Sequence, residues 1–338
     1  MDWNVLGHEW AAHLLQQHIG RGELRHAYLF TGPPGVGRRT LALRFAQAIN
    51  CLKPPAPGEP CGACRPCQQI QRMQQVDLSV VELEPERTEI RIEQIRSLQH
   101  TLSLTPVESH YRVALLLRFE QANANAQNSL LKTLEEAPEK VILLLTAGAA
   151  ENLLPTIVSR CEVLRLRPLA VETLAIELTG KYNLPAEEAR LLAHLSGGRV
   201  GYALRLHAEP GLLQQRQAWL EDLWQLLQQT KRARFTFAAQ KTGSRSARGK
   251  IDREGLRQMF LVWQSFWRDL LLASSGASAP LVNLDRQATI HSLAGQYSPD
   301  ETLARLVDLQ LALQRLDDNV NPQLLLEALL LDWPRLRF

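Results

Sequence analysis

One short stretch constrains the fold more than any other. Tyr28-Leu29-Phe30-Thr31 run into Gly32-Pro33-Pro34-Gly35-Val36-Gly37-Arg38-Arg39-Thr40, an apolar strand followed by a glycine-rich turn and a helix start. This is the layout of a P-loop, in which backbone N–H groups at a helix N-terminus cradle phosphate. A working loop reads G-x-x-x-x-G-K-[ST]; its lysine reaches the β- and γ-phosphates and its hydroxyl holds Mg²⁺. Gly32 and Gly37 keep that spacing, with Gly35 between them, but Arg38 stands at the lysine position and Arg39 at the hydroxyl position. A guanidinium only donates hydrogen bonds and cannot ligate a cation. Thr40 falls one residue late. The stretch predicts a nucleotide-binding fold whose own ATPase is silent.

The segments around it support an α/β core. Apolar runs at 27–30, 78–83, 113–117, 141–146 and 161–166 predict five strands. Between them, Leu41, Ala42, Phe45, Ala46 and Ile49, and then Ile92, Ile95, Leu98 and Leu102, follow helical spacing. Such alternation predicts a parallel sheet covered on both faces. Beyond about Pro168 the strand signal stops. Segments 171–178 and 186–195 predict helices, broken by Gly197-Gly198, and the rest is expected to be all helical. Ser298-Pro299-Asp300-Glu301 carries the marks of a helix start: an N-cap serine, proline in the first turn and glutamate three residues on. Leu303, Leu306, Leu309, Leu313, Leu316 and Val320 are expected to form one apolar stripe, and Asn321-Pro322 to open a final Leu-rich helix.

At 338 residues the chain has room for about two or three domains. A net charge of +3 does not by itself call for nucleic acid. No apolar run is long enough to span a membrane, and Met1-Asp2-Trp3-Asn4 lacks the features of a secretory signal. A cytoplasmic location is expected, where thiols stay reduced unless a metal holds them.

That matters for Cys51, Cys61, Cys64 and Cys67, spaced C-x₉-C-x₂-C-x₂-C. Four clustered thiolates suit tetrahedral Zn²⁺ and leave no open position for water, so the site is expected to be structural. An iron–sulfur cluster is an alternative reading of C-x₂-C-x₂-C, and a redox pair a third. Cys161 is expected to be a small buried residue. Segment 231–253 holds eight basic residues and one acidic one. It is expected to be a solvated loop between helices, with a DNA-backbone contact as the other reading.

Three motifs in order carry a family resemblance: 32–40 followed by the four cysteines; Asn128-Ser129-Leu130-Leu131-Lys132-Thr133-Leu134-Glu135-Glu136-Ala137-Pro138; and Ser159-Arg160-Cys161. Together they resemble the clamp-loader branch of the AAA+ ATPases in the bacterial DNA polymerase III holoenzyme, most strongly over residues 1–168. The resemblance implies an AAA+ domain over 1–168 with a zinc module inserted at 51–67. It implies a small helical lid at 169–208 and a helical collar at 209–338. It also implies partners: the gamma/tau motor subunits, the delta subunit, the sliding clamp and primer-template DNA.

Against an active motor of that family the chain departs at several positions. The acidic pair expected at the end of the third strand is Leu117-Arg118, with Glu120 two positions further on. The motor's second sensor arginine aligns with Gly201, and Arg199 has the wrong spacing to serve. What survives is Arg160: residue type alone favours an internal ion pair for it, but the resemblance matches it to the arginine that reaches a neighbour's ATP and stabilises charge on the transferring phosphoryl group. Leu130, Leu131 and Leu134 are expected to be core; Glu135 and Glu136 are expected to cap or solvate a helix end. The implied role is a non-hydrolysing ring subunit. The alternative is an active ATPase using Arg38 for lysine and Glu120 for the lost carboxylates.

Overall fold

The central strands of the sheet form because their side chains have apolar neighbours above and below. The computed structural model describes residues 3–84, 87–243, 252–318 and 320–335. The strands are β1 (Ala27–Thr31), β2 (Leu78–Val81), β3 (Arg112–Leu116), β4 (Val141–Ala147) and β5 (Glu162–Arg165). They make one parallel sheet in the order β2-β3-β4-β1-β5. Every residue of β1, β3 and β4 is buried, as a sheet covered on both faces requires.

Successive side chains along a strand face opposite ways, so β1 feeds two cores. Tyr28 and Phe30 join Leu41, Phe45, Val113, Leu115, Ile142 and Leu144 in one cluster. Ala27 and Leu29 join Ile95, Leu98, Leu116, Leu130, Leu134 and Leu143 in the other. The first is covered by α1 (Glu9–Arg21), α2 (Arg38–Ile49) and α3 (Arg65–Gln71); the second by α4 (Ile92–Leu102) and α5 (Ala124–Glu135). A short helix, α6 (Pro155–Val158), precedes β5. At the edge beside β2, the fully buried Asp77 carboxylate accepts the backbone N–H groups of Val107, Glu108 and Ser109 at 2.8–2.9 Å. Arg112 pairs with it at 3.2 Å.

The chain divides into two compact units: residues up to Ala170 with Gly198–Tyr202, and Val171–Gly197 with the rest. The second unit is helical. Its elements are α7 (Val171–Tyr182) and α8 (Ala186–Ser196), then α9 (Val200–Ala208), whose first residues belong to the first unit. After these come α10 (Pro210–Gln228), α11 (Lys231–Gly243), α12 (Arg253–Ser274), α13 (Gln287–Ala294), α14 (Pro299–Asp317) and α15 (Pro322–Leu331). Gly197 ends α8 in the left-handed conformation. Trp263, Trp267 and Trp333 anchor the core, with Trp263 and Trp333 edge-to-face at 5.0 Å. Ser298 caps α14 through a reciprocal bond pair with Glu301.

Two expectations are corrected. Leu303 is 50% exposed and stands outside the buried seam of α14, while Val320, 39% exposed, lies beyond the helix, which ends at Asp317. That seam runs through Thr302, Leu309, Ala312 and Leu316, with Leu306 and Leu313 packed at its side. Segment 231–253 is not a loop through its first half: Lys231–Gly243 is α11, while 244–251 lies outside the described residues. Within α11, Arg234 is buried, and it donates to the carbonyls of Leu226, Leu330, Trp333 and Pro334 at 2.6–3.1 Å. These carbonyls lie at or beyond the C-terminal ends of α10 and α15, where backbone acceptors lack helical partners. Arg234 therefore ties helix ends together and is not available to a phosphate. Among the described residues, no helix is long and apolar enough to cross a membrane.

Candidate functional site

The glycine loop leaves β1 at Thr31, and the chain itself holds the loop's shape. Gly32 donates its N–H toward the carbonyls of Ala147 and Gly148, both at 3.2 Å. Its φ is +144°, and a Cβ there would lie 2.4 Å from the Leu166 carbonyl oxygen, so only glycine fits. The Gly35 carbonyl accepts the Gly201 N–H at 2.8 Å. A Cβ on Gly35 would lie 2.8 Å from Cβ of Tyr202. His8 Nε2 bonds the Val36 carbonyl at 2.9 Å; since a carbonyl only accepts, Nε2 carries the proton. Gly201, the position aligned with the sensor arginine, thus contributes its backbone to the loop. Arg199 stacks over the Tyr202 ring, 4.6 Å from its centroid.

The groups a motor would use are rearranged. Arg38 is 8% exposed. Burial lowers its pKa, and the charge of Glu120 opposes that shift while Arg118 adds to it. Its Nη1 and the Glu120 Oε2 are both buried without a hydrogen-bond partner. The other Glu120 oxygen accepts the Gly148 N–H at 3.2 Å. Arg39 and Thr40 are exposed, Leu117 is buried, and Arg118 is exposed with a φ of +50°. The Arg118 N–H is spent on Thr146 Oγ1 at 2.8 Å. Of the positions a motor devotes to Mg²⁺, then, none presents a hydroxyl or carboxylate here, and Glu120 is partly engaged by backbone.

Arg160 follows α6 at the surface, its side chain about one-third exposed (35%). Nη2 meets Glu135 Oε1 at 2.7 Å and Nη1 donates to the Thr156 carbonyl at 3.0 Å. Glu135, expected only to cap or solvate the end of α5, instead grips this arginine. The two helices are also tied by Gln127, whose side chain accepts the Leu154 N–H at 3.1 Å and donates to the Ala122 carbonyl at 3.0 Å. Of the core leucines expected on α5, Leu130 and Leu134 are buried and Leu131 is half-buried. Cys161 is likewise half-buried, not fully enclosed, and burial pushes its thiol up to about 12. Nothing in the local sequence signalled the Glu135 bond or the His8 bond, because both join segments far apart in the chain.

The four cysteines converge. Cys51 follows α2, Cys64 caps α3 and Cys67 lies in its first turn. Their Sγ atoms all lie within 4.8 Å of one another, and Cys51 and Cys64 are 4.0 Å apart. A tetrahedral zinc with bonds near 2.3 Å would set the sulfurs about 3.8 Å apart, so the cage needs only slight contraction. The backbone N–H groups of Cys61 and Cys64 point at Cys51 Sγ (3.3 Å) and Cys61 Sγ (3.2 Å), the donation that favours thiolate. Donation from Cys64 and Ala63 draws the Cys61 thiol down to about 6, whereas burial raises Cys51 and Cys67. Four thiols this close together can hold a metal ion between them. Gln47 braces it by donating to the Cys67 carbonyl at 2.6 Å, and Trp3 Nε1 does so by donating to the Gly58 carbonyl at 2.9 Å.

A glycine loop after β1, with β4 set between that strand and β3, defines a P-loop ATPase core of the AAA+ type. The comparisons with known proteins narrow this. The family described as "DNA polymerase III, delta subunit" matches residues 7–170, and its C-terminal counterpart matches residues 210–335. The chain is 33% identical over 321 residues to DNA polymerase III subunit delta' of Bacillus subtilis (strain 168), covering 94% of this chain and 93% of that protein. It is 38% identical over 222 residues to the subunit delta' of Pseudomonas aeruginosa, covering 65% of this chain and 67% of that one. Its similarity to Escherichia coli (strain K12) subunit tau is 33% over 208 residues, 60% of this chain and 32% of that one. The chain belongs to the delta' family of DNA polymerase III subunits.

Proposed function

We propose that the chain is the non-hydrolysing delta' member of a clamp-loader ring, lending Arg160 in trans to the ATP of a neighbouring motor subunit. The observation that carries this is the contrast between two sites. The glycine loop is braced by His8, Gly201 and Tyr202 and offers Mg²⁺ no hydroxyl or acidic pair at the motor positions. Arg160 is presented at the surface with its fork already oriented. A guanidinium is permanently charged and matches phosphate oxygens, so it serves a reaction whose other parts lie elsewhere.

In this reading the chain is an accessory, not an enzyme, and works in the cytoplasm. Residues 1–168 are the AAA+ domain, 169–208 a helical lid and 209–338 the collar. Its partners are the gamma/tau motors and the delta subunit, and through the ring the sliding clamp and primer-template DNA. The four cysteines hold structural Zn²⁺ that stabilises the 51–67 module.

The test is DNA-stimulated ATP hydrolysis by the reconstituted ring carrying Arg160→Ala. Assembly is expected to persist while turnover at the neighbouring site falls by about a thousandfold, the lower end for a lost arginine finger. Unchanged turnover of that site sinks the proposal. The second reading, an ATPase built on Arg38 and Glu120, is supported by the unpartnered atoms of those two side chains in the loop region. It requires MgATP binding to the chain alone, measured by calorimetry, and the first reading requires none.

A further inference from the structure

We infer that Glu135 is a positioning residue for Arg160: it fixes the guanidinium in the orientation from which it reaches a neighbour's phosphate. This rests on the trans role proposed for Arg160. An arginine at a surface has several rotatable bonds, and a finger that samples many rotamers spends little time where the phosphoryl group develops charge. Arg160 has that freedom removed from two sides. Nη2 is held by Glu135 Oε1 at 2.7 Å, a short charge-assisted bond, and Nη1 by the Thr156 carbonyl at 3.0 Å. The two anchors come from different elements, the last residue of α5 and the first turn of α6. A guanidinium has five N–H donors in a fixed plane, so two spent on anchors leave three for a phosphate.

Placement argues that the pairing is purposeful. A carboxylate on the last residue of a helix sits at the negative end of the dipole, a position that favours cations. Lys132, in the last turn of α5, is the residue suited to that end; Glu135 is not, unless a cation faces it. Arg160 is that cation. The pair is also open: the side chains are 35% and 52% exposed. A phosphate arriving from outside can approach the guanidinium without first unpacking it. Glu135 then acts as a guide that stays bonded while the remaining donors engage the phosphate.

The experiment is ATP turnover by the reconstituted ring with DNA and clamp present, using Glu135→Ala, Glu135→Gln, Arg160→Ala and the Glu135→Ala/Arg160→Ala double variant. Loss of positioning lowers kcat about tenfold in Glu135→Ala with KM for ATP unchanged, since the finger acts as charge develops. Glu135→Gln keeps an oxygen that accepts from Nη2 and retains most of the activity. The double variant matches Arg160→Ala alone, because Glu135 has nothing left to position. Unchanged kcat in Glu135→Ala beside a large loss in Arg160→Ala overturns the positioning role and leaves the finger standing. A rise in kcat makes Glu135 an inhibitory latch and also overturns it. If Arg160→Ala itself does nothing, the reading on which this inference rests is the one that fails.

Discussion

Replacing Arg234 by alanine should unfold the helical unit far more readily than removing any exposed cation of α11. The side chain is 2% exposed and has no carboxylate partner among the described residues; its charge is satisfied by four carbonyls. Burial lowers its pKa, with Tyr297 opposing and Arg335 adding to the shift. Each hydrogen bond to a charged group contributes about 1.5–3 kcal/mol, but the four are not additive, because all rest on one guanidinium whose desolvation must be offset. What remains in the alanine variant is a set of helix-end acceptors around a cavity. Leaving even one buried acceptor unsatisfied costs about 1–3 kcal/mol, and the cavity adds to it. The assay is urea unfolding followed by tryptophan fluorescence. Five of the seven tryptophans (Trp219, Trp224, Trp263, Trp267 and Trp333) lie in the helical unit, so the signal reports mainly on it. Arg234→Lys should recover only part of the loss, since an ammonium cannot span carbonyls at both ends of the fork. A loss below about 1 kcal/mol for Arg234→Ala would refute the reasoning, for that is the level of a surface charge.

The Asp77 nest makes a second prediction. Burial pushes the Asp77 carboxyl up, but the N–H groups of Val107, Glu108 and Ser109 outweigh it, and the net shift is downward. A depressed folded pKa adds stability above the unfolded value of about 3.9 and loses it as pH falls through the folded value. Asp77→Asn should therefore flatten the acid limb of the stability curve below pH ~4, measured by denaturation midpoint against pH; parallel curves would exclude the nest as a source of acid sensitivity. Metal removal is the third case. Chelation should raise hydrogen exchange across 51–67 while leaving β3 and β4 protected, and elemental analysis should find about one zinc per chain without iron. Iron with visible colour would reassign the cluster.

Much of the sheet was legible because burial on both faces writes a strand as a plain apolar run. The runs at 27–30, 113–117 and 141–146 became β1, β3 and β4 with ends shifted by a residue at most. The cysteine cluster was legible for a different reason: a four-ligand site needs particular atoms, and spacing alone limits where they can meet. Helix α11 was missed because its buried face is Arg234, Ala238 and Thr242, spaced four apart with only the small Ala238 apolar. A hydrophobicity pattern is blind to a face that is buried by hydrogen bonding. On α14 the same blindness misplaced part of the seam, which takes Thr302 and Ala312 where counting leucines favoured Leu303. Arg160 could be named from its motif, but its grip by Glu135 joins residues 25 apart in sequence and needed coordinates.

The N-terminal segment links two regions that sequence treats as separate. Trp3 stacks on Phe45 of α2 and reaches the Gly58 carbonyl inside the cysteine loop. Five residues later His8 holds the Val36 carbonyl of the glycine loop. In a motor, a bound nucleotide keeps such a loop in shape, and its stiffness then follows the cell's ATP supply by mass action. Here that restraint comes from hydrogen bonds within the chain, shared with the segment that carries the cysteine cluster. The glycine loop and the cysteine segment are thereby fastened to one short stretch, so a change at Trp3 reaches both at once.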